Sequence, residues 1–328
     1  MAIKKVMFLP LNYGDVVQSG VYDAFRQCGC DLKVYDYFYL YETHARRDIK
    51  LLRKDFVNSA LAYKPDLIHV QVQHTQLING MCFAEIKKIL PNVIITNWTG
   101  DVRNYVPSTF IDIARFATYN LISSTGQLKM FQKEIKKEIK YWQIGFNPKL
   151  YSPPTYTKNK FEYDISFVGN NNVLEGYPGR GDREQACRLL KKEFGLKFGL
   201  YGSLWPGDLA SKGTIDQKKV SNVYHNSLCV LSVSHYNDLS HYFSDRLLMC
   251  MASGRPTISL KFPKWETYFT NMCDLIIVDS INEIPAKVKM LKNNLALANY
   301  IGKSGAEKVY AEHSYYSRIR ELLDMINH

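Results

Sequence analysis

Three consecutive polar residues, Ser244, Asp245 and Arg246, stand at the start of a short apolar segment that ends at Gly254. The segment predicts a helix with Ser244 as its N-cap, its hydroxyl accepting a backbone N–H. The N–H groups at a helix start favour an anion, and the guanidinium of Arg246 suits a phosphate. Asp245 can accept hydrogen bonds from both hydroxyls of a ribose. The stretch therefore predicts a nucleotide site, and a capped helix with a surface ion pair is the alternative.

Short apolar runs alternate with amphipathic runs along the whole chain. This alternation predicts an α/β fold of two Rossmann-like, doubly wound domains facing each other across a cleft, with ligands at the carboxyl ends of the strands. Pro148, Pro153 and Pro154 interrupt the pattern and indicate a linker. The predicted parts are an N-terminal domain over 1–147, a linker over 148–160, a C-terminal domain over 161–310, and a terminal helix over 311–328 that packs back toward the N-terminal domain.

Two further elements are predicted in the N-terminal domain. Residues 31–40 (DLKVYDYFYL) are predicted as one strand, and residues 126–140 (GQLKMFQKEIKKEIK) as one helix. The lysines of the second segment alternate with Glu134 and Glu138. A salt-bridged helix face is therefore the simplest explanation of its charge.

Composition limits the partners and the compartment. The net charge of +11 calls for an anionic partner such as a phosphorylated donor, nucleic acid or a membrane surface, with a solvated lysine-rich surface as the alternative. Seven cysteines without a CxxC pair indicate free thiols, so a cytoplasmic location is expected. No segment has the length of a transmembrane helix, and the N-terminus lacks the features of a signal peptide. Histidines, cysteines and aspartates lack metal-ligand spacing, so no metal is expected.

The segment from Ser244 to Gly254 resembles the donor-site helix of glycosyltransferases with the GT-B fold, and is most similar to that of the CgeB-like family of bacterial and phage enzymes. Further segments resemble the C-terminal domain of that family and cover most of residues 141–328: IGFNP, YDISFVGN, KFGLYGS, NSLCVLSVS, PKWETYF and the closing His313, Ser314, Tyr315 and Arg318. The resemblance implies a metal-independent enzyme whose donor is a nucleoside diphosphate sugar, with UDP or GDP as the nucleotide.

One position departs from the pattern of many retaining GT-B enzymes, which carry a Glu-x7-Glu pair whose second glutamate binds the ribose. The corresponding residues here are His241 and Met249. Methionine cannot hydrogen-bond a ribose usefully, whereas Asp245 lies one helical turn earlier on roughly the same face. We therefore expect Asp245 to replace the glutamate, with His241, Ser244 and Arg246 in the same donor site. A degenerate site is the alternative, and the stereochemical outcome is left open.

Loops after two predicted strands complete the expected donor site. Gly169 and Asn170 would let the backbone approach the donor phosphates, and Arg183 would add cationic support. Gly202 and Ser203 would frame the base. Because no metal is expected, arginines and helix N–H groups would stabilise the departing diphosphate. Ordinary turns with surface arginines are the alternative explanation of these loops.

The N-terminal domain is expected to bind the acceptor and to supply a general base. Gly14 and Asp15 lie in the first strand-to-helix loop. Asp101 follows a buried strand beside Arg103, and a carboxylate there can remove a proton from an acceptor hydroxyl. His74, at the end of another strand, is a second candidate for the base. A loop aspartate satisfied by backbone amides is the alternative for Asp101.

The predicted function is transfer of a sugar from a nucleoside diphosphate sugar to a hydroxyl group. The positive charge makes a hydroxymethylated pyrimidine in phage-type DNA one candidate acceptor, and such a base would have to be flipped out of the duplex. Glycans and small metabolites are the alternative acceptors. A non-catalytic nucleotide-binding relative, for which Met249 argues, is the alternative class.

Overall fold

The computed structural model describes residues 3–11, 18–72, 76–154, 160–172 and 180–327. The chain forms two compact units: unit 1 comprises Met1–Ile144 and Tyr315–His328, and unit 2 comprises Gly145–Ser314. Each unit contains one sheet in which every strand pair is parallel. The predicted fold class, α/β with two Rossmann-like sheets, is confirmed.

Unit 1 has six strands, and its helices connect one strand to the next. The strands are β1 (Lys5–Leu9), β2 (Asp31–Val34), β3 (Leu67–Val70), β4 (Ile94–Thr99), β5 (Tyr119–Ile122) and β6 (Lys140–Tyr141). The helices are α1 (Ser19–Gln27), α2 (Tyr37–Thr43), α3 (Ile49–Tyr63), α4 (Gly80–Ile89), α5 (Ser108–Ala114) and α6 (Leu128–Ile135). The strand order is β2-β1-β3-β4-β5-β6, so the order reverses at β1 and β3, where doubly wound folds bind ligands.

Two sequence predictions in unit 1 were wrong. Residues 31–40 do not form one strand: β2 ends at Val34, and α2 follows because the Asp36 carboxylate accepts the Tyr39 N–H at 3.2 Å and caps it. The predicted helix over 126–140 ends at Ile135, where Lys136 adopts a left-handed conformation with φ 53°. That turn lets the chain return as β6 beside β5.

In its described residues, unit 2 has five strands and five α-helices. The strands are β7 (Tyr163–Val168), β8 (Phe198–Tyr201), β9 (Ser227–Ser232), β10 (Thr257–Leu260) and β11 (Ile276–Val278). The helices are α7 (Arg180–Phe194), α8 (Gln217–His225), α9 (Asp245–Ala252), α10 (Ile284–Asn293) and α11 (Leu295–Glu312). The strand order is β11-β10-β9-β7-β8, so β7 lies between β8 and β9 and the order reverses there.

The residues of the closing motif, His313 and Arg318, are buried and make contacts within the two units. Helix α12 (Tyr315–Asn327) packs on α1 within unit 1. The Arg318 guanidinium donates to the Ile144 carbonyl at 3.2 Å, and the indole N–H of Trp142 donates to the Arg318 carbonyl at 3.0 Å. In unit 2, His313 lies buried among aromatic rings, 5.4 Å from the ring of Phe269.

All seven cysteines are free thiols, and five of them are buried. Over the described ranges, no helix combines the length and apolarity needed to cross a membrane. Nor do three or more His, Cys, Asp or Glu residues cluster, within those ranges, in a way that could hold a metal ion.

Candidate functional site

A pocket of about 270 Å³ lies in unit 2 at the carboxyl ends of β7 and β8 and the start of α9. Its position follows from the topology, because the loops after strands on either side of a reversal diverge and leave a crevice. Residues predicted from the sequence form one part of its lining: Gly169, Asn170, Gly202, Asp245, Arg246 and Met249. The other lining residues are Tyr151, Val168, Thr214, Ile215, Gln217, Val220 and Tyr224.

Two glycines are required where the loops after β7 and β8 meet. A β carbon at Gly169 would lie 2.9 Å from Nη2 of Arg246. Gly202 has φ +128°, and a β carbon there would lie 2.1 Å from the Gly169 carbonyl oxygen. Both contacts are shorter than an ordinary van der Waals distance: a β carbon at Gly202 would overlap backbone, and one at Gly169 would displace the end of the Arg246 side chain. The indole N–H of Trp205 donates to the same carbonyl at 2.9 Å, and its ring packs edge-on against Phe167.

The side chain of Arg246 crosses from α9 to the end of β7. Its Nε donates to the Val168 carbonyl at 2.8 Å, and its Nη1 makes a longer contact of 3.5 Å with the Val233 carbonyl. The guanidinium lies 5.3 Å from the ring centre of Phe167. A guanidinium has five N–H donors in a fixed plane, so this group can keep these contacts and still donate to an anion in the pocket.

Asp245 occupies the first position of α9, and one carboxylate oxygen accepts the Arg246 N–H at 2.8 Å. Met249, one turn later, lines the same pocket and is 6% exposed. Ser244 has the backbone geometry of an N-cap, but its hydroxyl makes no capping hydrogen bond, which corrects the prediction from sequence. The Asp245 carboxylate takes the N–H of the first turn instead. The Ser244 Oγ is buried and has no hydrogen-bond partner among the described residues.

Helix α9 ends as the sequence predicted. Its last residue is Ala252, and Gly254 has φ +72°. A β carbon at Gly254 would lie 2.9 Å from Cβ of Pro153, so this glycine is also needed for close packing. The helix therefore ends at a position that the packing of Gly254 against Pro153 determines.

Arg183 does not line the pocket, although the sequence placed it with the donor phosphates. Its residue is 2% exposed, and it donates to the carbonyls of Val233 at 2.9 Å and Asn170 at 2.7 Å. It also contacts Nε2 of His235 at 2.6 Å. Because a guanidinium only donates, that nitrogen must be the acceptor. Burial, together with the charges of Arg183 and Arg246, lowers the pKa of His235 to about 3, so this histidine is neutral.

Another part of the pocket lining consists of residues that the sequence did not point to. The buried rings of Tyr151 and Tyr224 stack with centres 6.4 Å apart, and the Tyr151 hydroxyl donates to Gln217 Oε1 at 3.1 Å. Thr214 and Ile215 follow Gly213, whose carbonyl accepts the Gly202 N–H at 2.7 Å. The one signal that the sequence offered was Gly213, a glycine between polar residues, which is typical of a turn. In the structure Gly213 has φ +80°.

Ser203 and His241 belong to unit 2 but are not part of the pocket lining. The Ser203 N–H donates to Asn170 Oδ1 at 2.9 Å, which joins the loops after β7 and β8. His241 has φ +58°, and its ring lies edge-on to Tyr268 at 5.8 Å. Burial and the charge of Lys264 lower the pKa of His241.

Of the candidates in unit 1, the structure describes only Asp101 and Arg103. Asp101 follows β4, and its exposed carboxylate lies 3.6 Å from Nη2 of Arg103. Nη1 of Arg103 donates to the Tyr105 hydroxyl at 3.2 Å. Gly14, Asp15 and His74 lie outside the described residues.

The pocket combines a cationic fork, a carboxylate, the start of a helix and aromatic rings. This set matches the parts of a nucleotide: a charged diphosphate, a ribose with two hydroxyls, and a base.

Residues 183–324 match a family model described as "Glycosyl transferase-like". The match covers α7 to α12 and thus most of the elements around the pocket. No curated protein sequence matches the chain.

Several solved structures share the fold over nearly the whole chain. Sucrose-phosphate synthase from Thermosynechococcus elongatus has a TM-score of 0.67 at 12% identity, covering 99% of this chain and 98% of that one. HepE from Anabaena in complex with UDP and glucose has a TM-score of 0.63 at 12% identity, covering 99% of both chains. An α-glucosyltransferase in complex with UDP and a 13-mer DNA has a TM-score of 0.62 at 12% identity, covering all of both chains.

These findings confirm the GT-B fold and the predicted enzyme class. The chain contains a glycosyltransferase-family domain, and the proteins that share its fold include glycosyltransferases. The finer predictions concern the donor, the acceptor and the residues that act on them.

Proposed function

We propose that unit 2 binds a UDP-sugar in the pocket at α9 and that the enzyme transfers the sugar to a hydroxyl group of its acceptor. The observation that carries this proposal is the convergence of Asp245, Arg246 and Gly169 on one pocket. In the sequence Gly169 lies 76 positions before Asp245, and the reversal of strand order between β7 and β9 brings it beside the start of α9. Their chemistry is complementary to a nucleoside diphosphate.

Each group has a role in this proposal. The Arg246 guanidinium binds the diphosphate and stabilises its charge as the bond to the sugar breaks, and the positive end of the α9 dipole adds to this stabilisation. Asp245 accepts hydrogen bonds from the ribose hydroxyls. The wall formed by Tyr151, Tyr224 and Ile215 holds the base. No metal ion is required, because the cationic side chain and the helix start supply the positive potential.

UDP is the proposed nucleotide because solved structures that share this fold contain it. HepE was solved with UDP and with UDP-glucose, and the DNA-bound α-glucosyltransferase was solved with UDP. GDP is the second choice to be tested. Membership of the CgeB-like family belongs to the same proposal, and is supported by the motifs of unit 2.

Asp101 is the proposed general base. Its carboxylate would take the proton of the acceptor hydroxyl as the acceptor oxygen bonds to the anomeric carbon and UDP leaves with the electrons of the broken bond. Arg103, whose Nη2 lies 3.6 Å from the carboxylate, would orient it. His74 is the alternative base.

The proposed acceptor is a hydroxymethylated pyrimidine in DNA. Two observations support it: the net charge of +11, and the fold shared with an α-glucosyltransferase bound to DNA. The base would have to leave the duplex for its hydroxyl to react. Transfer to a glycan or a small metabolite would be the competing result.

The test is an assay of nucleoside diphosphate release, UDP from UDP-glucose and UDP-N-acetylglucosamine and GDP from GDP-mannose, with and without duplex DNA carrying hydroxymethylcytosine. A reducing buffer suits the seven free thiols and the predicted cytoplasmic location. We expect release to be stimulated by the modified duplex and abolished by Arg246→Ala, but kept by Arg188→Ala, whose guanidinium pairs with Glu184 outside the pocket. Stimulation by glycans alone would reject DNA as the acceptor, and absence of turnover with every donor would reject the proposed reaction.

A further inference from the structure

A second concave surface lies in unit 1, between helices α3 and α4. This groove has a volume of about 620 Å³. Four basic residues line it, Lys50, Arg53, Lys54 and Lys88, against a single acidic residue, Glu85. The remaining lining residues are Val57, Asn58, Asn79, Met81, Cys82 and Ala84.

The groove starts at the carboxyl edge of the unit 1 sheet. Helices α3 and α4 each precede the next parallel strand, so both run from the carboxyl edge to the amino edge. Asp48 and Asn79 cap the two helices at that edge. Arg53 fixes the groove there, because its Nε donates to the Leu77 carbonyl at 3.0 Å. The same edge carries the loop with Asp101, the proposed general base.

The three lysines of the groove are not neutralised. Lys50, Lys54 and Lys88 are exposed, and across the described part of the chain none has a carboxylate within 4.0 Å of its ammonium group. The lysine–carboxylate pairs that the described residues do form all lie in unit 2, such as Lys289 with Glu193 and Lys308 with Glu312. The excess positive charge of the groove is therefore available to a partner.

The spacing of the lysines suits a linear polyanion. Lys50 and Lys54 lie one turn apart on one face of α3, roughly 6 Å along the helix axis. Lys88 approaches the groove from α4. A row of cations along a concave surface can contact several phosphates of one strand, and each such contact releases a counterion.

We propose that this groove binds the phosphate backbone of duplex DNA and so holds the acceptor against unit 1. The proposal rests on the proposed function, since it names the surface that would bind the DNA acceptor. An anionic bilayer fits less well, because a bilayer surface requires apolar side chains that project between the basic ones. Among the side chains lining the groove, only Met81 is both apolar and highly exposed, at 66%.

The experiment measures binding of an unmodified 20-base-pair duplex by fluorescence anisotropy between 50 and 200 mM salt. The groove variant carries Lys50→Gln, Lys54→Gln and Lys88→Gln. The matched control carries Lys289→Gln, Lys303→Gln and Lys308→Gln, which removes the same charge from paired lysines of unit 2. Each phosphate contact contributes about 0.9 to the slope of log K against log salt, so the groove variant should lose about 2.7 and the control less than 1. At 50 mM salt its affinity should fall at least tenfold.

Equal losses in the two variants would overturn the proposal, because the effect would then follow net charge alone. Binding of vesicles containing phosphatidylglycerol is measured in parallel. If the groove variant loses vesicle binding and keeps duplex binding, the surface docks on membranes and the proposal is wrong. All six lysines are exposed or half-exposed, so both variants should fold, which thermal unfolding checks.

The outcomes also separate this proposal from the proposed function. Sugar transfer to hydroxymethylated DNA that persists in the groove variant with unchanged KM for the duplex would reject the groove alone. Absence of any donor turnover in the wild-type protein would reject the proposed reaction, whereas the salt slopes would still decide whether the groove binds DNA.

Discussion

The guanidinium of Arg246 lies directly over Gly169, so closely that a β carbon on Gly169 would come within 2.9 Å of Nη2 and 3.0 Å of Cζ. This contact joins the start of α9 to the end of β7. It places the cationic group beside backbone that only a glycine can present. The proposed diphosphate site depends on this pair of residues.

Gly169→Ala should therefore displace Arg246 and weaken UDP binding about tenfold. The added methyl group must push the guanidinium away, which costs about 1–3 kcal/mol in a packed site. Calorimetric titration with UDP measures the change.

Gly207→Ala provides the matched control, because nothing lies within 4 Å of a β carbon at that position. Its UDP affinity should equal that of the wild-type protein. UDP binding by Gly169→Ala at wild-type strength would show that the contact between Gly169 and Arg246 is irrelevant to the donor.

Asp245→Asn should show whether Asp245 contacts the ribose or the diphosphate of UDP. A carboxylate accepts hydrogen bonds from both ribose hydroxyls, whereas an amide offers one acceptor oxygen. We expect UDP affinity to fall about tenfold and the affinity for inorganic diphosphate to stay within twofold, both measured by competition with a fluorescent nucleotide. Asp208→Asn, on an exposed carboxylate that pairs with Arg188, is the control. Parallel losses of both affinities would remove Asp245 from the ribose.

The residues around α9 could be predicted because their signals are local. A polar triplet before an apolar run and a glycine after it specify the start and end of a helix without tertiary information. The prediction that the Ser244 hydroxyl caps this helix was wrong, because the Asp245 carboxylate accepts the Arg246 N–H instead. Local rules predict the helix, and side-chain competition decides its cap.

Arg183→Met should reduce the stability of unit 2 rather than act on the donor directly. The buried guanidinium donates to the carbonyls of Val233 and Asn170, and its loss leaves both acceptors without that donor. We expect the free energy of unfolding to fall by about 2–4 kcal/mol, measured by urea denaturation. Arg188→Met, which removes exposed ion pairs with Glu184 and Asp208, should cause a much smaller loss. A similar loss in both variants would contradict the structural role of Arg183.

The second wall of the pocket was beyond prediction from the sequence. Tyr151 falls in the proline-rich segment interpreted as a linker, yet its ring is buried beside Tyr224 in unit 2. Gln217 and Tyr224 lie on α8, a short and largely polar helix whose N-cap is Asp216. Such residues come into contact only after the chain has folded, so no local sequence pattern predicts their contact.

The stability of the protein should decrease as the pH falls below about 6.5. Burial lowers the pKa of His235 to about 3, so between these values the unfolded state binds a proton that the folded state does not. Each such histidine makes the free energy of unfolding change by up to about 1.4 kcal/mol per pH unit in this range. Above about pH 6.5 the histidine is neutral in both states, so the free energy of unfolding no longer depends on its titration. His69, fully buried and with its pKa lowered to about 3 by desolvation, acts in the same direction.

His235→Gln should flatten this pH dependence, since glutamine keeps an acceptor for Arg183 but does not titrate. Urea denaturation at pH 4.5, 5.5, 6.5 and 7.5 provides the slopes. An unaltered slope in His235→Gln would mean that this histidine titrates alike in the folded and unfolded states.

The most direct test of the donor site is calorimetric titration of UDP into the wild-type protein, Arg246→Lys and Arg188→Lys. Lysine keeps the positive charge at position 246 but cannot hold the Val168 carbonyl and a phosphate in one plane. We predict saturable binding of one UDP to the wild-type protein, the same affinity in Arg188→Lys, and at least a tenfold loss in Arg246→Lys. Absence of UDP binding, or equal binding by all three proteins, would contradict a donor site at the start of α9.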